Sequence, residues 1–132
     1  MSQKFTILFD LDGTLVNTAP DLMIAHNHVM KKYGYGERKL SDIRKLAGRG
    51  SKVMLTRSMN ELAELQGKAK KTDDVIDQMT KDFIDFYSKN IVAESTLKKG
   101  VLDFLNWCKK KQFKWGYAQI NKNIYLLICL KK

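Results

Sequence analysis

The distribution of apolar and polar residues predicts one buried strand followed by a series of amphipathic helices. Residues 5–9 form a short, β-rich apolar run that stops at Asp10, which is typical of a buried parallel strand entering a loop. Between residues 20 and 91, apolar residues recur at helical spacing and glycines interrupt the pattern. We therefore predict four helices in this segment, which are able to pack on one another as a small bundle.

The remaining elements are predicted from shorter signals. Thr72 is the expected N-cap of the fourth helix, because two aspartates follow it at the positive end of that helix. A fifth helix is predicted after Gly100. A parallel strand needs neighbours and a cover on both faces. The rest of a sheet is therefore expected after residue 111, where little chain remains.

The composition narrows the class of protein. The chain has 132 residues, of which 44% are hydrophobic and 29% charged, as in ordinary soluble domains. These values exclude a disordered chain, a collagen and a bundle of membrane helices. The length fits one domain, or a small domain that carries an insertion.

The net charge of +10 would by itself suggest a nucleic-acid or anionic-membrane partner. However, residues 1–103 contain 17 basic residues and all 14 acidic ones, whereas residues 104–132 contain seven basic residues and no acidic one. Only four of the 24 basic residues are arginine, the residue that bidentate recognition of phosphate or guanine favours. We interpret the excess positive charge as lysine side chains that are exposed to solvent, and we predict no nucleic-acid partner.

Cysteine usage and the N-terminus indicate a cytoplasmic protein. Cys108 and Cys129 are too few for a disulfide framework, so reduced thiols are expected. The N-terminal residues lack the pattern of a signal peptide. The longest apolar run, residues 124–130, is far shorter than the ~20 residues that span a bilayer. We predict no membrane contact, and the sequence leaves the oligomeric state open.

The chemistry is concentrated directly after the first strand, at Asp10 and Asp12. Two carboxylates two residues apart point to one face of an extended strand, at the carboxyl end where open α/β sheets bind ligands. Gly13 permits a tight turn and a close backbone approach by a ligand. Two acids and a backbone carbonyl suit Mg²⁺, so one carboxylate is able to act as a nucleophile toward phosphate and the other as an acid and base. The alternative is an acidic turn that simply ends a strand.

The full string over residues 9–18, FDLDGTLVNT, resembles the first motif of the haloacid-dehalogenase-like phosphatases. The helices that follow resemble the helical cap of that family, and the string FDLDGTLVNTAPDL is similar to its phosphoglycolate phosphatase and β-phosphoglucomutase branch. The resemblance covers roughly residues 5–111. It implies an α/β fold, in which a Rossmann-like core, incomplete here, carries an inserted α-helical cap and the chain as given is mostly helical.

The resemblance also implies roles for individual residues. Asp10 would be the nucleophile that forms an aspartyl-phosphate, and Asp12 would be the general acid and base. Both would be ligands of a Mg²⁺ cofactor, Asp12 through its main-chain carbonyl. Leu11, Asp12, Gly13 and Thr14 would bind the phosphoryl oxygens of a small phosphorylated metabolite, with phosphoglycolate as the expected substrate.

The predicted cap contains two further groups of candidate site residues. Arg49 lies between two glycines, where the branch has a cap loop that reaches the substrate, and it would bind a substrate carboxylate or phosphate. The alternative is a solvated arginine in a loop. His26 and His28 face different sides of one helix, so we predict surface or packing roles for them rather than metal binding.

The domain organisation implied by the resemblance has four parts. Residues 1–18 are the first core strand and catalytic loop, residues 19–95 the cap, residues 96–114 the start of the second core segment, and residues 115–132 a tail. The resemblance places the second core strand near residues 115–118, which are not followed by the family's Ser or Thr, and no acidic residue follows Asp103. The chain therefore resembles a truncated, inactive piece of a phosphatase. The first alternative is a non-enzymatic remnant, either a degraded gene product or a helical interaction module, and the second is a basic nucleic-acid-binding protein.

We predict that the tail is read out of frame. Trp115 is encoded only by TGG. If the base before this codon is A, the reading frame that starts one base earlier reads ATG, which encodes Met, and then GGG, which encodes Gly. Permitted codons continue this peptide as Met-Gly-Ile-Cys-Thr-Asn-Lys-Gln-Glu-Tyr-Leu, which resembles the family's second strand with its Thr. The nucleotide sequence tests the prediction. An adjacent frame that closes here, or that lacks a downstream Lys and paired acids, would contradict it.

Overall fold

The computed structural model describes residues 6–90 and 93–118, which belong to two compact units. The first unit combines Met1–Thr18 with Ser95–Lys132, and the second is Ala19–Glu94. The predicted out-of-frame tail lies outside the described residues from residue 119 onward. In chain order the elements are β1 (Thr6–Asp10), β2 (Val16–Asn17), α1 (Ala19–Lys32), α2 (Leu40–Leu46), α3 (Ser51–Leu65), α4 (Asp73–Lys89), β3 (Thr96–Leu97), α5 (Val101–Lys110) and β4 (Lys114–Ala118).

The first unit is built on a short parallel sheet. β1 pairs in parallel with β4, so that Thr6 lies opposite Lys114 and Asp10 opposite Ala118. α5 connects to β4 and covers one face of β1, where the ring centroids of Phe9 and Phe104 lie 5.9 Å apart in an edge-on contact. The parallel pairing accounts for the apolar character of β1, because parallel strands are covered by helices.

A second ladder in this unit was not predicted. β2 and β3 pair antiparallel, with Val16 opposite Leu97 and Asn17 opposite Thr96. The Lys98 amide also donates to the Leu15 carbonyl oxygen at 2.9 Å. These contacts join the loop after β1 to the segment before α5. They hold together the two stretches of chain between which the helical unit is inserted.

The second unit is a bundle of α1, α2, α3 and α4. α4 packs on both α1 and α3, and α1 also packs on α2. The apolar stripes predicted from the sequence form its core, with Val29, Met30, Leu55, Met59 and Met79 among the fully buried side chains. Burial of these stripes on one another is what stabilises helices of this length.

Two polar residues lie at the N-terminal ends of helices in this bundle. Asp21, in the first turn of α1, is buried, and its carboxylate accepts a 2.8 Å hydrogen bond from the Glu94 amide. This hydrogen bond therefore joins the beginning of the inserted unit to its end. Thr72 occupies the N-cap position of α4 as predicted, but its hydroxyl makes no capping hydrogen bond. The two aspartates of the first turn remain as the favourable groups at that helix end.

A buried polar network connects α1 to α3. His26 is fully buried, and its Nε2 lies 2.8 Å from the Ser58 hydroxyl, while Nδ1 lies 2.9 Å from the Asn27 side-chain oxygen. Arg38 donates from Nε to the same Ser58 hydroxyl oxygen at 3.1 Å, and it pairs with Glu61 at 2.7 Å. Because a guanidinium only donates, the Ser58 proton is free to donate to His26 Nε2. The network thus fits a neutral histidine with its proton on Nδ1.

The protonation of His26 gives a pH prediction. Burial lowers the pKa of His26 below its usual value, the hydrogen bond to Asn27 opposes this, and the nearby Arg38 charge adds to it. Below about pH 6.5 the unfolded chain therefore binds a proton that the folded bundle does not. We expect the free energy of unfolding to decrease as pH falls from that value toward the lower folded pKa, by at most about 1.4 kcal/mol per pH unit.

Urea unfolding of the wild type and of His26→Gln between about pH 7.5 and about pH 5.5 measures this effect. The variant is expected to lose most of the decrease. His28→Gln is the matched control, because His28 is exposed on the same helix and stacks on Phe86. Equal pH dependence in the wild type and in His26→Gln would contradict the prediction.

No helix among the described residues is long and apolar enough to cross a membrane. The described cysteine, Cys108, is buried and carries a free thiol. Cys129 lies outside the described residues.

Candidate active site

The candidate site lies in the first unit, where β1 ends. Asp10 is the last residue of this strand and is exposed, and Asp12 follows in the loop and is partly buried. The loop therefore leaves the sheet at the carboxyl end of a strand that is paired in parallel, which is where open α/β sheets place their ligands. The two aspartates singled out from the sequence are thus brought together on one short loop.

The loop is held by its own backbone. The Leu11 carbonyl oxygen accepts hydrogen bonds from the amides of Thr14, Leu15 and Val16 at 3.1–3.3 Å. The Gly13 amide donates to the Val16 carbonyl oxygen at 2.8 Å. Gly13 has a φ of +78°, which a residue with a Cβ rarely adopts, and this explains the glycine after the second aspartate. These backbone hydrogen bonds hold residues 11–16 in a compact turn.

Thr14 contacts the predicted nucleophile directly. Its hydroxyl donates to Oδ2 of Asp10 at 3.2 Å, and the contact is exposed to solvent. The bond occupies one carboxylate oxygen and leaves Oδ1 of Asp10 available to a ligand. Thr14 was expected to bind phosphoryl oxygens, and the structure adds a contact that orients Asp10. The feature of the sequence that indicates this contact is the position of Thr14, four residues after Asp10 and directly after Gly13.

Two of the four predicted phosphate-binding residues use their backbone amides for hydrogen bonds within the turn. Those of Gly13 and Thr14 donate to carbonyl oxygens within the turn. Phosphate binding through these two amides requires the turn to release them. The phosphate contacts of Leu11 and Asp12, and a phosphate contact by the Thr14 hydroxyl, stay predictions.

Arg49 belongs to the second unit, in the segment between α2 and α3. It is exposed, and its neighbour Gly50 has a φ of +87° at the start of α3. The role of Arg49 in substrate binding stays a prediction. His26 and His28 lie in that same unit, one buried in a polar network and the other stacked on an aromatic ring, in keeping with the packing roles expected of them.

The donors of the loop fit a hard divalent cation. Asp10 and Asp12 offer only oxygen ligands, together with the backbone carbonyls beside them, and this is the donor set that Mg²⁺ prefers. Within residues 6–90 and 93–118 no cluster of three or more His, Cys, Asp or Glu side chains is present. Mg²⁺ often binds through one or two carboxylates, the substrate phosphate and several waters. The two aspartates therefore suffice for part of such a site, and the loop is able to hold the ion only together with other ligands.

Comparison with known proteins identifies relatives of the chain. It is 35% identical over 101 residues to a phosphoglycolate phosphatase of Caulobacter vibrioides, which covers 76% of this chain and 40% of that protein. It is 29% identical over 114 residues to the phosphoglycolate phosphatase of Mannheimia succiniciproducens, covering 86% and 50%. The chain thus spans about half the length of the curated relatives it matches.

Solved structures confirm the predicted fold class. A crystal structure described as a predicted phosphoglycolate phosphatase from Haemophilus somnus superposes with a TM-score of 0.80 at 24% identity, over 93% of this chain and 55% of that one. A putative phosphoglycolate phosphatase from Lactobacillus delbrueckii gives a TM-score of 0.76 at 23% identity, over 93% and 57%. The fold is therefore that of a haloacid-dehalogenase-like α/β core, incomplete here, with inserted helices.

The family itself is shown by sequence. The family model described as haloacid dehalogenase-like hydrolase matches residues 7–131, a range that contains the whole candidate loop and most of the predicted tail. The Asp10 loop lies at the carboxyl end of a parallel strand, as the motif resemblance requires. The chain therefore belongs to the haloacid dehalogenase-like hydrolase family.

Proposed function

We propose that this chain carries the phosphoryl-acceptor half of a Mg²⁺-dependent phosphomonoester hydrolase that acts on phosphoglycolate or a similar small phosphate ester. The observation that carries the proposal is the exposed Asp10 carboxylate at the carboxyl end of β1, oriented by the 3.2 Å hydrogen bond from Thr14. The family and the names of the relatives support the reaction class. The cytoplasmic location stays a prediction.

Asp10 performs the first step in this proposal. An oxygen of its carboxylate attacks the phosphorus atom, and the bond from phosphorus to the ester oxygen breaks. The product is an aspartyl-phosphate on Asp10 and an alcohol. The exposed position of Asp10 gives a phosphate access, and the Thr14 contact limits rotation of the carboxylate, so the attacking oxygen is presented in one orientation.

Asp12 moves the proton in both steps. It donates a proton to the leaving ester oxygen, and it then takes a proton from the water that attacks the aspartyl-phosphate. Inorganic phosphate leaves, and the Asp10 carboxylate is restored. Asp12 is less exposed than Asp10, which suits a group that exchanges its proton with the substrate more than with bulk water.

Mg²⁺ would be held by Asp10 and by the main-chain carbonyl of Asp12, and it would supply positive charge that offsets the phosphate charge. The protein's own contribution is the placement of oxygen ligands on a turn that is fixed by the Leu11 carbonyl. No acidic residue follows Asp103 in this chain. A further carboxylate ligand from that part of the sequence is therefore absent, and we propose that the chain alone is inactive or very weakly active.

The substrate proposal depends on the relatives and on Arg49. The relatives named above are phosphoglycolate phosphatases, and their substrate carries a carboxylate beside its phosphate ester. An exposed arginine flanked by two glycines is chemically suited to pair with that carboxylate. The second candidate, a helical interaction module without enzymatic function, is favoured by the well-packed second unit, which holds its own core.

A chimera tests the proposal. Residues 1–118 replace the matching segment of the Caulobacter vibrioides phosphoglycolate phosphatase, so that the missing half of the fold is supplied in one chain. We expect Mg²⁺-dependent hydrolysis of phosphoglycolate that is lost on adding a chelator. A folded chimera that shows no hydrolysis of phosphoglycolate or of p-nitrophenyl phosphate would refute the proposed activity.

The Thr14 contact gives a smaller, separate prediction. Thr14→Val removes the hydroxyl that donates to Asp10 and keeps the shape of the side chain. A hydrogen bond to a charged group contributes about 1.5–3 kcal/mol. Because this one is exposed, we expect its loss to cost about the lower value, which corresponds to a fall of about tenfold in the kcat of the chimera. Thr14→Ser, which keeps the donor, is expected to retain most of the activity. An unchanged kcat in Thr14→Val would show that the contact does not position Asp10.

A further inference from the structure

The connection between α1 and α2 is held by side chains and not by regular secondary structure. It comprises residues 35–39, which form neither helix nor strand, and we call it the Arg38 segment. Nδ2 of Asn27 donates to the Arg38 carbonyl oxygen, and Oδ1 of Asn27 accepts from the Arg38 amide, both at 2.9 Å. The Arg38 guanidinium donates to the hydroxyl and carbonyl oxygens of Ser58 at 3.1 and 3.3 Å, and it pairs with Glu61 at 2.7 Å. Arg38 therefore fixes the segment to both α1 and α3.

His26 contacts the same two side-chain oxygens that receive Arg38. Its Nδ1 lies 2.9 Å from Oδ1 of Asn27, and its Nε2 lies 2.8 Å from the Ser58 hydroxyl. In the neutral ring described above, Nδ1 donates to Asn27 and Nε2 accepts from Ser58, so each of these protons has an acceptor. The binding of Arg38 and the protonation of His26 thus depend on each other through two shared oxygens.

A proton on Nε2 of His26 disrupts this arrangement. The Ser58 hydroxyl loses its acceptor on the ring, and its oxygen then faces two donors, the imidazolium and the Arg38 guanidinium, which both carry positive charge. His26 and Ser58 have exposed fractions of 0%, so water screens the repulsion between the two cations only weakly. A buried charge without an anionic partner is costly. The departure of Arg38 relieves this cost.

The charge that acts on His26 is that of Arg38. Burial lowers the pKa of His26, the Asn27 hydrogen bond opposes this, and the Arg38 charge lowers it further. The charged side chains of α2, α3 and α4 are exposed, except for three that are partly buried, Asp42, Lys52 and Asp82. Lys52 and Asp82 form salt bridges of their own, and Asp42 lies in the first turn of α2. The exposed Glu61 carboxylate is bound to Arg38 itself.

The Arg38 segment is the most weakly packed part of this cluster. Tyr35 is its one buried side chain, whereas α1 and α3 bury Val29, Met30, Leu55 and Met59 in the core beside His26 and Ser58. Parts of a protein with few buried apolar contacts open at a lower free energy than the core. When Arg38 leaves Ser58, solvent reaches the ring and hydrates the imidazolium. The helices need not separate for this to occur.

We infer that His26 is an acid-sensitive switch in the helical unit: its protonation releases Arg38 from Ser58 and opens residues 35–39, while α1 and α3 stay packed. Opening frees the start of α2, because this helix begins directly after the segment, at Leu40. The expected change is local, which distinguishes it from the pH dependence of global unfolding described above. The inference concerns the second unit alone and does not depend on the proposed function.

Hydrogen exchange of the full chain, resolved by NMR and corrected for the intrinsic effect of pH, tests the switch. The pH is lowered from about 7.5 through the value at which the His26 ring titrates in the same samples. The Arg38 amide is expected to lose at least about tenfold of its protection, the equivalent of one hydrogen bond, in step with the ring. The Met59 amide, in the interior of α3, is expected to stay protected.

A charge variant tests the coupling from the other side. Because coupling between two sites is reciprocal, Arg38→Gln is expected to raise the midpoint of the His26 titration by about one pH unit, a tenfold change in proton affinity. Arg57→Gln is the matched control, since Arg57 is exposed on α3 beside Ser58, and it is expected to leave the midpoint unchanged. The exchange measurement uses the wild type, so it decides the matter even if Arg38→Gln does not fold.

Three results would overturn the inference. The first is an Arg38 amide that keeps its protection while the His26 ring titrates. The second is an equal loss of protection at Arg38 and Met59, or unfolding of the chain before the ring titrates, because the opening would then be global. The third is a folded Arg38→Gln variant in which His26 titrates at the same pH as in the wild type.

Discussion

Asp10→Asn is expected to lower the rate of phosphoglycolate hydrolysis by the chimera at least about 10³-fold, because loss of a covalent nucleophile removes the reaction path itself. The amide is similar in size to the carboxylate and still able to accept the hydrogen bond from the Thr14 hydroxyl, which is 3.2 Å from Asp10 Oδ2 in the wild type. The fold of the loop is therefore expected to persist. Steady-state kinetics with Mg²⁺, together with circular dichroism of the purified variants, measures the effect.

The control for this change is Asp85→Asn. Asp85 is an exposed aspartate on α4 that pairs with Lys89 at 2.9 Å, and exposed pairs of this kind contribute little to stability. Its replacement is expected to leave kcat and KM unchanged. A folded Asp10→Asn chimera that retains more than about a tenth of the wild-type rate would exclude Asp10 as the nucleophile.

Leu55→Ala is expected to lower the free energy of unfolding of the helical unit by about 2–5 kcal/mol. Leu55 is fully buried in the core that α1, α3 and α4 form, so its truncation loses apolar burial and leaves a cavity. Urea unfolding followed by circular dichroism measures the change. A loss of this size is a large part of the stability of a small domain.

Leu65→Ala is the matched control on the same helix. Leu65 is 77% exposed at the last position of α3, and its replacement is expected to change the free energy of unfolding by less than about 0.5 kcal/mol. Equal losses for Leu55→Ala and Leu65→Ala would show that the helices do not pack as described.

Features that depend on local pattern could be predicted from the sequence. The apolar stripes of the helices form the observed core, and they include Val29, Met79 and Phe83. This follows because an amphipathic helix buries its apolar face against the core. The strand before Asp10 is present as β1, and the strand that the family resemblance placed near Trp115 is present as β4. The turn at Gly13 also follows from local chemistry, since glycine readily adopts its positive φ.

Features that depend on distant contacts could not be predicted in this way. β2 and β3 have two residues each, too few to give a periodic signal, and their pairing depends on how the insertion brings Val16 to Leu97. The burial of His26 is decided by Ser58 on another helix, 32 residues away. Asp21 lies in the first turn of α1, where an acidic residue is favourable, yet its carboxylate also accepts a hydrogen bond from the Glu94 amide at the far end of the insertion.

The central claim is that Asp10 accepts the phosphoryl group, and the most direct test is to locate that group in the working chimera. Acid quenching during turnover, followed by borohydride reduction, converts a phosphorylated aspartate to homoserine, which mass spectrometry assigns to a position in the chain. The account predicts this modification at Asp10 and its absence after Asp10→Asn. Modification at another residue, or none in a chimera that hydrolyses phosphoglycolate at full rate, would contradict it.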